Sequence, residues 1–325
     1  MQHVLITGGA GFIGSTLAEQ LIQEGHKVTV IDNFDPFYEE EIKRRNITGL
    51  IEHPNFKLLP IDIEDLPALR AQLIDQYTAI VHIAAKAGVH ASIRTPISFQ
   101  QVNVLGTQHM LEVAKEKGVK QFVFASSSSV YGVNPNVPWK ESDQNMLPIS
   151  PYASSKLSCE LLGHVYTNLY GIRFIALRFF TVYGPRQRPD LAIYKFAKKI
   201  VAGEPIPMFG DGSTRRDYTY IGDLLKGIRA AIEYQASDYE IINLGNHNTV
   251  SLKEMIATIE AVFEKKAIIN QLPMQPGDVP QTYADITKAR ELLGYEPTTT
   301  FREGIQQFKD WMMATALPNV RKGHE

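Results

Sequence analysis

The segment Thr7-Gly8-Gly9-Ala10-Gly11-Phe12-Ile13-Gly14 narrows the folds open to this chain. It follows an apolar run, Val4 to Ile6, and precedes Ile13, Leu17 and Leu21, which recur every four residues up to Gly25. That order predicts a strand, a turn without side chains and a helix from Gly11 to Glu24, with Gly25 as its left-handed cap. Missing side chains at Gly8, Gly11 and Gly14 permit a tight turn, close backbone approach to a pyrophosphate and close helix-on-sheet packing. The N–H groups of Phe12 and Ile13, at the helix start, add donors aimed at an anion.

Further β-rich runs recur with helix-length spacers: Val28 to Ile31, Phe56 to Ile61, Ile80 to Ile83, Phe122 to Ala125 and Phe174 to Leu177. They are continuously apolar, as strands buried on both faces are, and the spacers imply crossovers. The expected class is α/β, a doubly wound parallel sheet. With 325 residues, 44% of them apolar, there is chain enough for a nucleotide-binding domain and a smaller second one. After Phe179, Gly184-Pro185, Gly203, Pro205, Pro207, Gly210 and Gly212 break the chain into loops around one helical stretch, Leu191 to Val201. The strand-like run Tyr239 to Leu244 is placed to return to the main sheet. The expected division is residues 1–178 plus about 219–246 for the nucleotide domain, 179–218 and 247–313 for a smaller α/β substrate domain, and 314–325 as a frayed tail.

Thirty-three Lys and Arg against 35 Asp and Glu leave no broad basic field for nucleic acid or anionic lipid. Cys159 is the single cysteine, so there is no internal disulfide framework and no cysteine-based zinc site. No signal-peptide pattern opens the chain, and no apolar run approaches the ~20 residues of a membrane span. A reducing, cytoplasmic setting fits this pattern.

Asp32 ends the second strand, followed by Asn33. A carboxylate there accepts from adenosine ribose hydroxyls and repels a 2′-phosphate, which favours NAD over NADP. Asp62 and Ile63, after the third strand, sit where an adenine amino group would be met. The competing reading for each aspartate is a helix or turn cap.

Tyr152 and Lys156 lie four residues apart at the front of a predicted helix, hence on one face. A free tyrosine ionises near pH ~10, and a neighbouring ammonium plus a positive nicotinamide would favour its phenolate, as a base requires. Phe122 to Ala125 runs into Ser126-Ser127-Ser128-Ser129, which puts hydroxyls at the carboxyl edge of the sheet, where ligands of such folds bind. Ser127 can hydrogen-bond the substrate oxygen that Tyr152 deprotonates.

Together the glycine turn, Asp32, Ala84-Ala85, Ser127, Tyr152-x-x-x-Lys156 and Tyr183-Gly184-Pro185 resemble the extended short-chain dehydrogenase/reductase family of nucleotide-sugar epimerases and dehydratases, to about Trp311. The resemblance implies a Rossmann-type fold and oxidation of a sugar C4 hydroxyl by bound NAD. Tyr152, Lys156 and Ser127 would be the catalytic residues. It implies cofactor contacts from Ala84, Ala85, Lys86, Asn103 and Ser126, and often a homodimer through helices flanking the tyrosine. Dehydratases of the family carry an Asp-Glu pair, and decarboxylases a Glu, where Ser128-Ser129 stand here, so the resemblance points to 4-epimerisation.

The stretch Phe179 to Asp190 and Asp32 to Tyr38 with Lys43-Arg44-Arg45-Asn46 are similar to UDP-glucuronate 4-epimerases, which implies UDP-glucuronate as substrate. Thr181, with Ser128 and Ser129, would hold its carboxylate through hydroxyls. Arg188, Arg216 and Asp278 match positions that hold the UDP diphosphate and ribose, work that suits guanidinium. The family's Ala-Gly-Val-Arg pattern appears here as Ala87-Gly88-Val89-His90. A 4-epimerase of UDP-glucose or UDP-N-acetylglucosamine, a decarboxylase and a non-catalytic NAD-binding regulator stay open as alternatives.

Some residues invite promotion and do not earn it. His82, inside an apolar strand, reads as a satisfied core histidine. Cys159 reads as helix packing, and Glu39-Glu40-Glu41 with Lys43-Arg44-Arg45 as a solvated helix with i,i+4 charge support. Asn103 has a second reading, a buried helix-to-helix polar contact.

Overall fold

Seven parallel strands form the central sheet: β1 (His3–Thr7), β2 (Lys27–Ile31), β3 (Phe56–Leu59), β4 (Ala79–His82), β5 (Gln121–Ser127), β6 (Arg173–Phe179) and β7 (Tyr239–Leu244), in the order β3-β2-β1-β4-β5-β6-β7. The computed structural model describes residues 1–144, 146–273 and 279–316. Alternation within each strand divides the core. Val4, Ile6, Val28, Val30, Val123, Ile175 and Leu177 pack on one face, and Leu5, Ile80, Phe122, Phe124, Phe174 and Ala176 on the other. The expected doubly wound sheet is therefore present, with apolar strands covered on both sides. The predicted strand Phe56 to Ile61 is cut short at Leu59, and Ile80 to Ile83 ends one residue early, at His82.

The helices that matter for the site are α1 (Phe12–Gln23), α2 (Glu40–Ile47), α3 (Leu66–Gln72), α4 (Gly106–Lys117), α5 (Pro151–Tyr170), α6 (Ala192–Ala202), α7 (Ile221–Glu233), α8 (Leu252–Phe263) and α9 (Phe301–Ala316). Gly25 is left-handed at φ 81°, as its position after α1 requires. Helix α5 starts where Ser150 accepts from Ala153 N at 3.2 Å, with Pro151 in its first turn, and it ends at left-handed Gly171. Strands β2 and β4 flank β1, so the chain leaves toward opposite sides after them and a crevice opens at the carboxyl ends of β1 and β4.

The chain beyond β6 builds a second core, from Tyr183, Ile193, Phe196, Ile200, Ile206, Met255, Ile259, Ile305 and Phe308. Three short strand pairs frame it: Thr181–Tyr183 with Tyr218–Tyr220, Arg215–Arg216 with Val250–Ser251, and Pro205–Phe209 with Ile268–Leu272. Between them the chain returns to the main sheet through α7 and β7, the latter in register from Tyr239 on Phe174 to Leu244 on Phe179. Helix α9 continues past Met313 to Ala316, where the sequence suggested a tail. Phe308 and Trp311 hold it against this second core. No helix among the described residues is long and apolar enough to cross a membrane.

Candidate active site

The turn after β1 leaves no room for side chains. Gly8 takes φ +69°, and a Cβ on it would lie 2.8 Å from Ala84 N; a Cβ on Gly14 would lie 2.3 Å from the Gly8 carbonyl oxygen. Glycine is needed at the first for backbone freedom and at the second for close approach of α1. Gly11 caps α1 without a side-chain hydrogen bond, so no side chain competes for the N–H groups of Phe12 and Ile13.

Asp32, buried at the end of β2, accepts Ala10 N at 3.0 Å and Phe34 N at 2.9 Å, which locks the turn to the next strand. Asn33 Nδ2 donates to Asp62 Oδ2 at 2.7 Å, while Asp62 Oδ1 accepts Glu64 N at 2.9 Å. Asp62 is thus a turn residue tied to β2, and the cap of α3 is Asp65. Ile63 is buried against Gly106 at the start of α4.

Beneath the crevice a proton-ordered chain crosses the sheet. Thr7 Oγ1 accepts Ile83 N at 3.2 Å and Ala84 N at 3.1 Å, so its own proton points to His82 Nδ1 at 2.7 Å. His82 then carries its proton on Nε2, 3.0 Å from Thr107 Oγ1, which donates to the Asn103 carbonyl at 2.5 Å. Complete burial pushes His82 down to about 3, as that neutral ring demands. Asn103 places its side chain on Lys86 N at 2.8 Å, Lys86 O at 3.0 Å and Ser155 Oγ at 2.9 Å. Its amide joins the segment after β4 to the helix of the tyrosine.

Lys156 is buried and Tyr152 half-buried on α5, with Lys156 against the end of β5. Burial raises the Tyr152 phenol, and the Ser127 hydroxyl and the Arg188 charge pull it back. Lys156 Nζ donates to Ala125 O at 2.6 Å and lies 4.7 Å from the Phe124 ring centroid; burial drives it down to about 8. Ser127 Oγ accepts from Ser129 N at 3.2 Å and Ser129 Oγ at 2.9 Å, which leaves its own proton for a ligand or the phenol. Ser126 turns away and donates to Glu160 at 2.5 Å.

On the far side, Thr181 N bonds the Asp217 carbonyl at 3.0 Å, which sets Thr181 on a strand beside the site. Arg188 makes a two-pronged pair with Asp190, at 2.9 and 2.7 Å, and stacks 5.1 Å from the Phe37 ring centroid. Its charge acts on Tyr152 and Tyr38, which puts it by the phenol. Half-buried Arg216 gives one N–H to the Arg215 carbonyl at 2.8 Å and has no ion pair among the described residues.

Residues 5–308 match the family described as GDP-mannose 4,6 dehydratase. The chain belongs to this family, part of the extended short-chain dehydrogenases/reductases. It is 41% identical over 315 residues to a UDP-glucuronate 4-epimerase of Thermodesulfobacterium geofontis, covering 96% of each chain. It resembles the crystal structure of the Bacillus cereus UDP-glucuronic acid 4-epimerase in complex with UDP-glucuronic acid and NAD, at TM-score 0.87 and 35% identity over 96% of this chain and 99% of that one. A UDP-N-acetylglucosamine 4-epimerase of Methanobrevibacter ruminantium is similar at TM-score 0.88 and 32% identity, over 97% and 99% of the two chains.

Of the sequence-predicted residues of this dehydratase family member, Gly8 lies against Ala84 at the ends of β1 and β4, and Ser127, Tyr152 and Arg188 interact at the end of β5, where Lys156 bonds the Ala125 carbonyl. Lys86 reaches across toward Asp35, 3.7 Å away. Asp278 lies outside the described residues. Ser128 and Ser129 open the short helical turn after β5, and His90 is the second residue of the short helix Val89–Arg94, which follows Gly88 at φ +119°. His82 and Cys159 are buried and hydrogen-bonded, as core residues.

Two features escaped the sequence. Lys43 is not on a solvated face: it is buried, with Nζ 2.7 Å from the Asp35 carbonyl and over the Tyr38 ring, whereas Glu39, Glu40, Glu41, Arg44 and Arg45 are exposed as expected, with Arg44 paired to Glu40. Glu160, four residues beyond Lys156, is buried against Arg178 of β6. Its i+8 spacing from Tyr152 was a signal in plain view.

Proposed function

We propose that the protein interconverts C4 epimers of a UDP-sugar, with NAD as a retained cofactor and UDP-glucuronate as substrate. The observation that carries this is the placement of the glycine turn and of Ser127, with Tyr152 beside it and Lys156 on Ala125, at the carboxyl ends of strands of one parallel sheet, while hydroxyls at Ser128 and Ser129 stand where a dehydrating acid would be needed. The steric cradle at Gly8 and Gly14, the uncapped start of α1 and the carboxylate of Asp32 suit a dinucleotide. Held by the glycine turn and Asp32, bound NAD would supply a reversible hydride acceptor for the sugar C4.

The chain's residues do the rest. Tyr152 removes the C4 hydroxyl proton and later restores it, and Ser127 holds the same oxygen. Lys156 keeps positive charge beneath them. Arg216, free of carboxylate partners among the described residues, receives a diphosphate oxygen. Thr181, Ser128 and Ser129 face the sugar carboxylate with hydroxyls, and the Arg188 charge near it is balanced by Asp190. Such balance suits a 4-keto uronate, a β-keto acid whose carboxylate must be held without promoting loss of carbon dioxide.

A homodimer completes the reading. Leu161, Val165 and Leu169 form an exposed apolar stripe on α5, and Ile93, Ile97 and Leu105 are exposed on the helical segments packed beside it. The setting proposed is cytoplasmic. Incubation with UDP-glucuronate, UDP-glucose and UDP-N-acetylglucosamine, with C4 epimers resolved by chromatography, tests the substrate. Conversion of UDP-glucuronate is expected; conversion of a neutral sugar alone, or a UDP-pentose with carbon dioxide, overturns it.

A further inference from the structure

Two successive residues of β5 are clasped by two successive turns of α5. Lys156 Nζ donates to Ala125 O at 2.6 Å, and Ser126 Oγ donates to Glu160 Oε1 at 2.5 Å. Glu160 also takes a two-pronged bond from Arg178, at 3.0 and 2.8 Å, with side-chain exposures of 1% and 3%. Arg178 stacks 4.7 Å from the Tyr131 ring centroid, Tyr131 donates to Asn243 at 2.8 Å, and Tyr239 donates to the Glu160 carbonyl at 3.0 Å. The pair therefore ties α5 to β5, β6 and β7 directly below the tyrosine site.

Stability alone is a poor reason for such a pair. Two desolvated charges cost more than apolar side chains of similar volume, and Nη1 of Arg178 is buried with no partner among the described residues. The charge has a nearer use. Around Lys156 lie Cys159 and Glu160 on its own helix, His82 on β4, the Phe124 ring and the Ala125 carbonyl on β5. Burial keeps the Cys159 thiol up and His82 neutral, so neither offsets the ammonium. Around Glu160 lie Ser126, Arg178 and Tyr239. We propose that Glu160, anchored by Arg178, is a positioning residue that supplies the negative charge opposite the Lys156 ammonium and fixes the Ser126-Ser127 strand end. This rests on the epimerase reading.

The consequence concerns pH. An ammonium desolvated to about 8 is lost as pH rises through that value, and with it the positive charge one helical turn from Tyr152. Glu160→Gln removes the opposing charge and leaves Arg178 unpaired, so the alkaline limb of kcat should move down by about one pH unit or more. Glu160→Gln with Arg178→Met leaves no uncompensated charge, which protects folding, and should move the limb down by less. Glu160→Asp keeps the charge and should restore the limb. KM for the UDP-sugar should stay within about threefold in all three, since none of these groups faces the sugar diphosphate.

Lysine labelled with 13C at Cε, with the Lys156 resonance assigned from Lys156→Met, gives the titration midpoint without turnover. The midpoint should fall in the order wild type, double variant, Glu160→Gln. A folded double variant whose midpoint and limb coincide with wild type overturns the proposal. Wild-type protein that converts no UDP-sugar overturns the epimerase reading instead, and the midpoint still tests Glu160.

Discussion

Around Tyr152 the supporting polar groups already have protein partners: Lys156 on the Ala125 carbonyl, Asn103 on Lys86 and Ser155, Ser126 on Glu160. Toward the loops of the second core, Arg216 holds one bond to its neighbour's carbonyl. The first arrangement is preorganised, because its donors and acceptors are ordered before any ligand arrives. The second keeps a guanidinium ready for an anion, at the cost of ordering it on binding. On the proposed reading, chemistry is anchored in the main sheet and anion recognition falls to Arg216 in a short strand of the second core.

That contrast predicts different kinds of damage. Tyr152→Phe should lower kcat about 1,000-fold while NAD, measured by mass on the purified protein, stays bound; near-normal turnover would remove Tyr152 from the chemistry. Gly14→Ala forces a Cβ to within 2.3 Å of the Gly8 oxygen. It should abolish NAD retention and lower unfolding free energy by about 1–3 kcal/mol; a variant that retains NAD would place the cofactor elsewhere. Arg216→Met should raise KM about 10- to 100-fold with kcat and melting temperature nearly unchanged, and a kcat loss of the same size would erase the distinction between the two ends.

His82 gives a signal confined to acid pH. Its value is depressed to about 3 from 6.5, so the stability it contributes is present above pH 6.5 and is lost as pH falls toward 3. The stability difference between wild type and His82→Gln should shrink by about 1.4 kcal/mol per pH unit across that window. Urea unfolding at several pH values reads it, and a constant difference would mean that the ring is not buried neutral.

The sheet was legible because buried parallel strands are apolar throughout and glycines mark a steric need that nothing else meets. Val4 to Ile6, Gly8, Gly14 and Gly25 were read from local sequence, and the return of β7 to the sheet from a run as short as Tyr239 to Leu244. Strands such as Arg215–Arg216 and Val250–Ser251 were not, since two residues have no period to detect. Tyr152, Lys156 and Ser127 came through as a helix spacing and a strand end. Arg188 was grouped with the diphosphate by resemblance; its stacking on Phe37 was not legible, because it depends on two loops far apart in sequence. Lys43 turned inward for a similar reason: its partner is the backbone of Asp35, a contact no charge pattern announces.

The return of β7 bears on how this molecule can be taken apart. After β6 the chain enters the second core, comes back through α7 and β7, and leaves again for α8 and α9. Neither core is a contiguous stretch of sequence. A truncation that ends before Tyr239 would strip an edge strand from the nucleotide-binding sheet and expose β6, whereas inserting a tag in the Gly210–Gly212 turn would leave both cores whole. Shuffling the sugar-binding part between relatives therefore calls for at least two exchanged segments, matched at every crossing.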